Sequence, residues 1–257
     1  MSPLDTTTTN FLFTARDIAE PLASVTFEES DQMQKYFDED NFDVIGFQEN
    51  GRITGFIDKR DSYSTEDIIK SVKKFEIHDL ITPNTDIRDC LKLLEDRNFL
   101  FIIDQSQVNG IVTAADRQKP AVRMMLFGII TIFESQLASL IHLEYPENAW
   151  EKHISESRLK SAKKFYDELL EKNLDINLIN CTQICDKTDI VLKEPVLLSS
   201  LTGLSKTKAR VLFSRLQDLR NDLAHAQSLQ NWFENEDVLN LIDQIRSITE
   251  NIEKQLK

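Results

Sequence analysis

The chain has 257 residues, of which 41% are hydrophobic, and a formal net charge of −13 at pH 7. This length suits two domains of ordinary size, and the acidic balance argues against a dedicated nucleic-acid binder. Three cysteines and four histidines show no disulfide or metal-ligand spacing. The apolar runs look too short and too interrupted to span a bilayer. We therefore expect a soluble cytoplasmic protein without a metal site.

The chain begins with a segment, residues 1–11, that we expect to be flexible. Residues 30–37 then favour a short helix, and residues 43–48 and 53–58 favour two strands. The pair Asn50-Gly51 lies between these strands and is typical of a tight hairpin turn.

The same order of elements returns further along the chain. Residues 85–97 form an amphipathic helical pattern, residues 99–104 a buried strand, residues 105–109 a turn and residues 110–113 a second strand. The separation of about 55 residues indicates an internal repeat. We expect the two small sheets to pack together and bury both apolar faces.

The second repeat ends in Gly110-Ile-Val-Thr113-Ala-Ala-Asp116. A small apolar strand closed by Thr113, with Asp116 three residues later, resembles the nucleotide-binding signature of CBS domains. Residues 12–120 thus resemble a tandem CBS pair of two β-α-β-β-α units. The resemblance implies a regulatory adenosine nucleotide (AMP, ATP or a relative), with Asp116 on the ribose, Thr113 on phosphate or ribose, and the backbone near Ile81 and Thr85 by the base.

The first repeat departs from this signature at Asp58, where the family has Thr or Ser. A carboxylate there would repel phosphate, although Lys59 and Arg60 could still reach one from outside. We therefore expect one competent site per chain. A pair that serves only as a dimerisation platform is the alternative.

The second half, residues 121–257, favours helices throughout. Pro120 can begin a strongly apolar helix over residues 121–141, because proline is tolerated in the first turn. Helical patterns follow at residues 156–172, from Ser205 onward and at residues 235–255, with smaller helices at residues 178–185 and 196–201. The whole chain is thus predicted to be α+β, with an all-α bundle following the paired sheets.

A cation, an amide and an imidazole follow one another at Arg220, Asn221 and His225. Helical spacing places Arg220 within the apolar arc of its helix, where an unpaired guanidinium would be costly. Five residues turn a helix by about 140°, so Arg220 and His225 share a face only if the helix turns near Ala224 or a second chain contributes. In the alternative interpretation, Arg220 pairs with an acid such as Glu134 and His225 simply caps the helix.

The spacing of Arg220, Asn221 and His225 resembles the signature of HEPN domains, which are helical bundles that usually dimerise. The resemblance implies a metal-independent endoribonuclease of toxin or antiviral-defence type, with these three residues as the catalytic site of a homodimer. Glu134 is then a candidate supporting residue, and Lys206 and Arg210 are candidates for RNA contact. An antitoxin or defence-system protein is a possible partner, and a non-enzymatic, nucleotide-responsive interaction module is the main alternative.

Overall fold

The computed structural model describes residues 13–61 and 68–257. The flexible start predicted for residues 1–11 lies outside these residues. The chain divides into an N-terminal unit, Asn10–Val122, and a C-terminal unit that includes Arg123–Lys257.

The described part of the N-terminal unit contains seven strands and three α-helices. They are β1 (Glu20–Pro21), β2 (Ser24–Val25), α1 (Ser30–Asp38), β3 (Val44–Glu49), β4 (Arg52–Asp58), α2 (Ile68–Ser71), β5 (Leu80–Ile81), α3 (Ile87–Leu93), β6 (Phe99–Asp104) and β7 (Gln107–Thr113). The strands form a three-stranded sheet, β2-β3-β4, and a four-stranded sheet, β1-β7-β6-β5.

The two sheets share one pattern, which confirms the predicted repeat. In each, a two-residue strand lies parallel to the first arm of an antiparallel hairpin: β2 beside β3 in one sheet, and β5 beside β6 in the other. The helices α1 and α3 occupy equivalent places in the chain, between the short strand and the hairpin.

The hairpin turns explain where the strands end. Asn50 and Gly51 both have positive φ, 50° and 75°, as the Asn-Gly pair predicts. The second turn is shorter than expected, because only Gln105 and Ser106 have positive φ, 48° and 65°. As a result β7 begins at Gln107 and not at Gly110. Helix α3 is also shorter than residues 85–97 at both ends. Asp86 caps its N-terminus by accepting from the Arg88 N–H at 2.8 Å, and Leu94 is already its C-cap.

The apolar faces of the two sheets meet in one aromatic cluster. Phe56 of β4 lies 4.8 Å from Phe101 of β6 between ring centroids, and Phe75 and Phe99 pack against both rings. Phe56 and Phe101 are buried. The two halves of the N-terminal unit therefore share a core, as the repeat predicts.

The C-terminal unit is helical. Its elements are α4 (Pro120–Glu144, which begins in the preceding unit), α5 (Glu156–Leu170), α6 (Ile184–Lys193), α7 (Pro195–Thr202), α8 (Lys206–Ala224), α9 (Gln230–Glu234) and α10 (Val238–Leu256). Proline opens α4 as predicted, and Ser205 and Asp237 cap α8 and α10.

Helix α4 corrects one expectation from the sequence. It is the one described helix that is long and apolar enough to cross a membrane by length and composition, with a mean hydropathy of 1.7 over 18 residues. The expectation that every apolar run is too short is therefore wrong. Half of that window is buried inside the structure, where Phe133, Leu137 and Ile141 are fully enclosed.

Helix α5 corrects a second expectation. The helical pattern at residues 156–172 predicts an apolar side that faces inward, yet only one of its apolar residues is fully buried, Ala162. The apolar residues of this side are Leu159, Ala162, Phe165, Tyr166, Leu169 and Leu170. Phe165 and Leu170 are 49% and 45% exposed. Helix α6 fills the bundle instead, and its buried face includes the polar residues Asp186, Lys187 and Thr188.

Candidate functional site

A cavity of about 600 Å³ lies in the N-terminal unit, beside the end of β7. Its wall comes from residues 20–23, residues 41–44, the start of β6 and the residues that follow β7. The lining residues are Glu20, Pro21, Leu22, Ala23, Asn41, Phe42, Asp43, Val44, Asn98, Phe99, Ile111, Thr113, Ala115, Asp116 and Lys119. The cavity thus contains Thr113 and Asp116, two of the residues selected from the sequence.

Thr113 and Asp116 are joined by the short 3-10 helix Ala114–Gln118 that follows β7. Oδ2 of Asp116 accepts from the Thr113 N–H at 2.6 Å and from the Thr113 hydroxyl at 3.2 Å. Asp116 is only 5% exposed, so its carboxylate is fixed in the cavity wall. A carboxylate held in this way can accept the two hydroxyls of a ribose.

Lys119 is a site residue that the sequence reasoning missed. Its Nζ donates to the Ile18 carbonyl at 2.5 Å and pairs with Glu20 Oε1 at 2.5 Å and Asp116 Oδ1 at 2.8 Å. Burial favours the neutral amine, but the hydrogen bonds to Asp116 and Glu20 outweigh it and raise the pKa of Lys119. The pairing of Lys119 with Asp116 could have been predicted from the sequence, because the two residues are three apart. The pairing of Lys119 with Glu20 could not, because these residues are 99 apart.

The structure does not bring Ile81 and Thr85 into this cavity. The sheet order is the reason: β1 is the neighbour of β7, whereas β5, which contains Ile81, lies beyond β6 on the opposite edge. Thr85 is occupied locally, since its Oγ1 accepts from the Thr82 N–H at 3.0 Å. The segment beside Asp116 is therefore residues 20–23, and Ile81 and Thr85 do not line the cavity.

The equivalent position in the first repeat is occupied by a local ion pair. Asp58 is buried, and its Oδ2 lies 2.5 Å from Arg60 Nη2. This hydrogen bond lowers the pKa of Asp58. Lys59 Nζ donates to the Phe37 carbonyl at 2.5 Å, so both cations that could have reached a phosphate are engaged within the protein.

The second candidate site is the C-terminal end of α8. The helix buries Ala209, Leu212, Phe213, Leu216, Leu219 and Leu223, as the sequence predicts, and ends at Ala224. His225 is the capping residue, and Ala226 turns the chain with a positive φ of 53°. The helix therefore ends near Ala224, as expected, and His225 is exposed. The His225 N–H still donates to the Asn221 carbonyl at 3.0 Å, however, so the chain turns only after His225 and does not bring it onto the face of Arg220.

Arg220 does not point into the apolar face, contrary to the expectation from the sequence. It lies at the edge of the buried stripe and is exposed, and its Nη1 lies 3.5 Å from Oδ1 of Asn221. Across the described residues, Arg220 forms no ion pair with a carboxylate. Arg220 and Asn221 thus lie near the C-terminal end of α8, and His225 is its C-cap. Arg220 and His225 are exposed, whereas Asn221 is half-buried.

Glu134 is not the partner of Arg220. Its Oε1 lies 2.9 Å from Nζ of Lys187, whose side chain is 2% exposed and also donates to the Thr182 carbonyl at 2.6 Å. The pair joins α4 to α6 inside the bundle. The expectation that Glu134 pairs with Arg220 is therefore wrong, whereas the other part of that alternative, His225 as the helix cap, agrees with the structure.

The chain after His225 is held by contacts that the sequence reasoning missed. Asp222 Oδ2 accepts from Nε1 of Trp232 at 2.8 Å, which ties α9 to the end of α8. Arg123, near the start of α4, donates to the carbonyl of Gln227. These contacts come from three separate stretches of the chain and fix the loop beside His225.

Basic side chains continue along α8 away from this end. Lys206, Lys208 and Arg210 are exposed, whereas Arg215 pairs with Glu236 at 3.4 Å. At a rise of about 1.5 Å per residue, the helix carries positive charge over roughly 20 Å from Lys206 to Arg220. Lys206 and Arg210 thus lie on the helix that carries Arg220, at its opposite end.

No protein-family model matches the chain, and no curated protein matches it. Among solved structures, it is similar to the crystal structure of hypoxic response protein I with two coordinated zinc ions, at 22% identity and a TM-score of 0.30, covering 40% of this chain and 95% of that one. It is also similar to the CBS domain of a bacterial CNNM/CorC family Mg²⁺ transporter, at 17% identity and a TM-score of 0.33, covering 44% and 74%. Similarities at this level assign the chain to no family, and the account of both sites rests on their own geometry.

Proposed function

We propose that the protein is an adenosine-nucleotide-regulated, metal-independent endoribonuclease of the cytoplasm. In this proposal the C-terminal unit, which resembles a HEPN domain, cleaves RNA, and the N-terminal unit, which resembles a CBS pair, senses the nucleotide. A toxin or antiviral-defence role, restrained by an antitoxin or a defence-system partner, is compatible with such an activity.

One observation carries the enzymatic part of the proposal. Arg220, Asn221 and His225 lie within six residues at the C-terminal end of α8, Arg220 and His225 are exposed, and Arg220 has no carboxylate partner among the described residues. Within the described part of the chain, Arg220 bonds only to Asn221, at 3.5 Å, so most of its guanidinium donors remain open to a ligand. Side chains left free at a rigid position are available to a phosphodiester.

The proposed reaction uses the substrate's own 2′-hydroxyl. Neutral His225 removes the proton from this hydroxyl, and the oxygen attacks the adjacent phosphorus. The bond from phosphorus to the 5′-oxygen breaks, and a protonated histidine gives its proton to the leaving oxygen. Arg220 balances the charge that builds on the phosphorus oxygens, and Asn221 orients the phosphate.

This mechanism needs two histidines in different protonation states, but each chain offers His225 alone at this site. A two-fold homodimer would supply the second one from another copy. The exposed position of His225 at a helix end is compatible with such a pairing.

The decisive experiment is an RNA cleavage assay in EDTA, with and without adenosine, AMP and ATP. The expected products are a 2′,3′-cyclic phosphate and a 5′-hydroxyl, and DNA should be spared because it lacks the 2′-hydroxyl. His225→Ala should remove activity, and Arg220→Ala should lower the rate about a hundredfold, the cost of a lost transition-state donor. Arg210→Ala, ten residues earlier on the same helix, is the matched control and should weaken RNA binding more than turnover.

Cleavage that needs Mg²⁺, survives His225→Ala or extends to DNA would contradict the proposal. The rate should pass through a maximum with pH, because one histidine must be neutral while the other is charged. A rate that rises steadily with pH would exclude the two-histidine mechanism.

A second candidate function is a nucleotide-responsive interaction module without catalysis. The exposed apolar side chains of α5 favour it: Phe165 and Leu170 are 49% and 45% exposed, and Leu174 just beyond the helix is 50% exposed. Exposed apolar groups mark protein-binding surfaces when they are contiguous, and these three lie within ten residues of one another in the chain. Absence of RNA cleavage under every nucleotide condition, with a folded protein, would favour this function.

A further inference from the structure

The lining of the cavity in the N-terminal unit has an unbalanced charge. Three carboxylates, those of Glu20, Asp43 and Asp116, face one lysine, Lys119. Because like charges repel strongly at short range and intermediate dielectric, a ligand that brings several negative charges into this space is disfavoured.

The positive charge of Lys119 is not available to attract a phosphate. An ammonium group has three donor hydrogens, and Lys119 Nζ already has three acceptors: the Ile18 carbonyl, Glu20 Oε1 and Asp116 Oδ1. Two of these acceptors are carboxylates, so the charge of Lys119 is neutralised where it lies. A phosphate group would have to break these bonds before it could use the lysine.

The rest of the lining suits a flat, uncharged ring. Phe42 stacks on Tyr36 through one face, with ring centroids 5.6 Å apart and an interplanar angle of 10°, and Phe42 is 39% exposed. Phe42 and Phe99 line the cavity together with the amide side chains of Asn41 and Asn98. Aromatic faces stack on a planar heterocycle, and amides can both donate to and accept from its edge.

We infer that this cavity selects the charge-poor members of the adenosine series, so that affinity falls as phosphates are added. The inference rests on the proposed sensor function and narrows its ligand to the nucleoside or monophosphate. A ribose hydroxyl can replace Lys119 at Asp116 Oδ1 without adding charge, whereas a triphosphate adds several negative charges near three carboxylates. The volume of about 600 Å³ is within the usual range for small-molecule sites, roughly 300–1,000 Å³.

Calorimetry with the full chain tests this selectivity by measuring the affinities of adenosine, AMP and ATP at low and high ionic strength. Adenosine should bind at least about tenfold more tightly than ATP at low salt. Added salt should reduce this difference in affinity, because it screens the repulsion between the phosphates and the cavity carboxylates. ATP binding more tightly than adenosine would overturn the inference and leave the sensor function intact. Failure of all three compounds to bind would remove the sensor function itself.

Two variants and a matched control locate the selectivity. Glu20→Gln removes one cavity charge and frees Lys119 in part, so ATP affinity should rise about tenfold with little change for adenosine. The Glu20 side chain is 62% exposed, so the change creates no buried void. Asp116→Ala should weaken adenosine roughly ten- to hundredfold, as expected for a lost charged hydrogen bond.

The control is Glu49→Gln. Glu49 ends β3 at the opposite end from Val44, which lines the cavity, so its removal changes net charge by the same amount at a distance of roughly 16 Å. It should leave all three affinities unchanged. An equal gain of ATP affinity in Glu49→Gln and Glu20→Gln would show a general charge effect and overturn the assignment of selectivity to the cavity.

Discussion

At the scale of single residues, Ala226 turns the chain away from α8 directly after His225. Its φ of 53° is in the left-handed region, which costs an L-residue with a Cβ about 1 kcal/mol. The turn it makes allows the N–H of Gln227 to donate to the Asp222 carbonyl at 2.9 Å. Glycine is the usual residue at this position of a helix end, so the alanine keeps a strained turn beside the candidate catalytic histidine.

Replacing this alanine should therefore stabilise the protein. Ala226→Gly is expected to raise the free energy of unfolding by about 0.5–1 kcal/mol, because it removes the clash at positive φ. Urea denaturation followed by circular dichroism measures this change. Ala224→Gly, at the last residue of α8, is the control and should lower the free energy of unfolding by about 1 kcal/mol. Destabilisation by both variants would show that the turn is not strained.

At the scale of elements, prediction succeeded where the apolar pattern decided the structure. Helix α10 was predicted over residues 235–255 and spans Val238–Leu256, because Leu241, Ile245, Ile248 and Ile252 form one buried stripe. Helix α6 was missed because its buried face includes Asp186, Lys187 and Thr188, which read as solvent-facing. Asp186 and Lys187 are internal because they pair with Arg158 and Glu134, 28 and 53 residues away. Thr188 instead donates to carbonyls of its own helix.

In the candidate sites too, contacts between residues close in the chain were predictable and contacts between distant residues were not. Thr113 and Asp116 were selected because residues 110–116 resemble a known signature that is local in the chain, and they do bond to each other three residues apart. The contacts of Glu20 with Lys119 and of Arg123 with Gln227 span 99 and 104 residues and have no local signature. Arg220 was misplaced because helical periodicity places it within the apolar arc, whereas Leu219 and Leu223 carry the buried stripe to the helix end.

The two partners of the Glu134–Lys187 ion pair, which joins α4 to α6, should contribute unequally to stability. Glu134→Gln leaves the ammonium of Lys187, 2% exposed, without a counter-charge, and should lower the free energy of unfolding by about 3 kcal/mol. Lys187→Met should cost less, because Glu134 is 28% exposed and can be hydrated. Denaturant titration of both variants and of the double variant measures the difference. Equal losses for the two single variants would show that burial of the lysine is not the dominant cost.

At the scale of the whole molecule, the proposed reaction requires a homodimer. Light scattering should give twice the mass of one chain at assay concentrations. When wild-type and His225→Ala chains are mixed in equal amounts before assembly, activity per total protein should fall to about a quarter, because only homodimers of wild type keep both histidines. A fall to about one half would indicate independent sites and exclude the two-histidine mechanism.

The aromatic cluster of the N-terminal unit has a consequence for folding. Phe56 belongs to the first repeat, Phe99 and Phe101 belong to the second, and Phe75 lies between the two repeats. Neither repeat encloses these rings by itself, so each would expose large apolar surface if separated from the other. Closing the 45-residue segment between Phe56 and Phe101 costs chain entropy before the contacts form. We therefore expect the two repeats to fold and unfold as one cooperative unit, with the cluster assembled late from both halves.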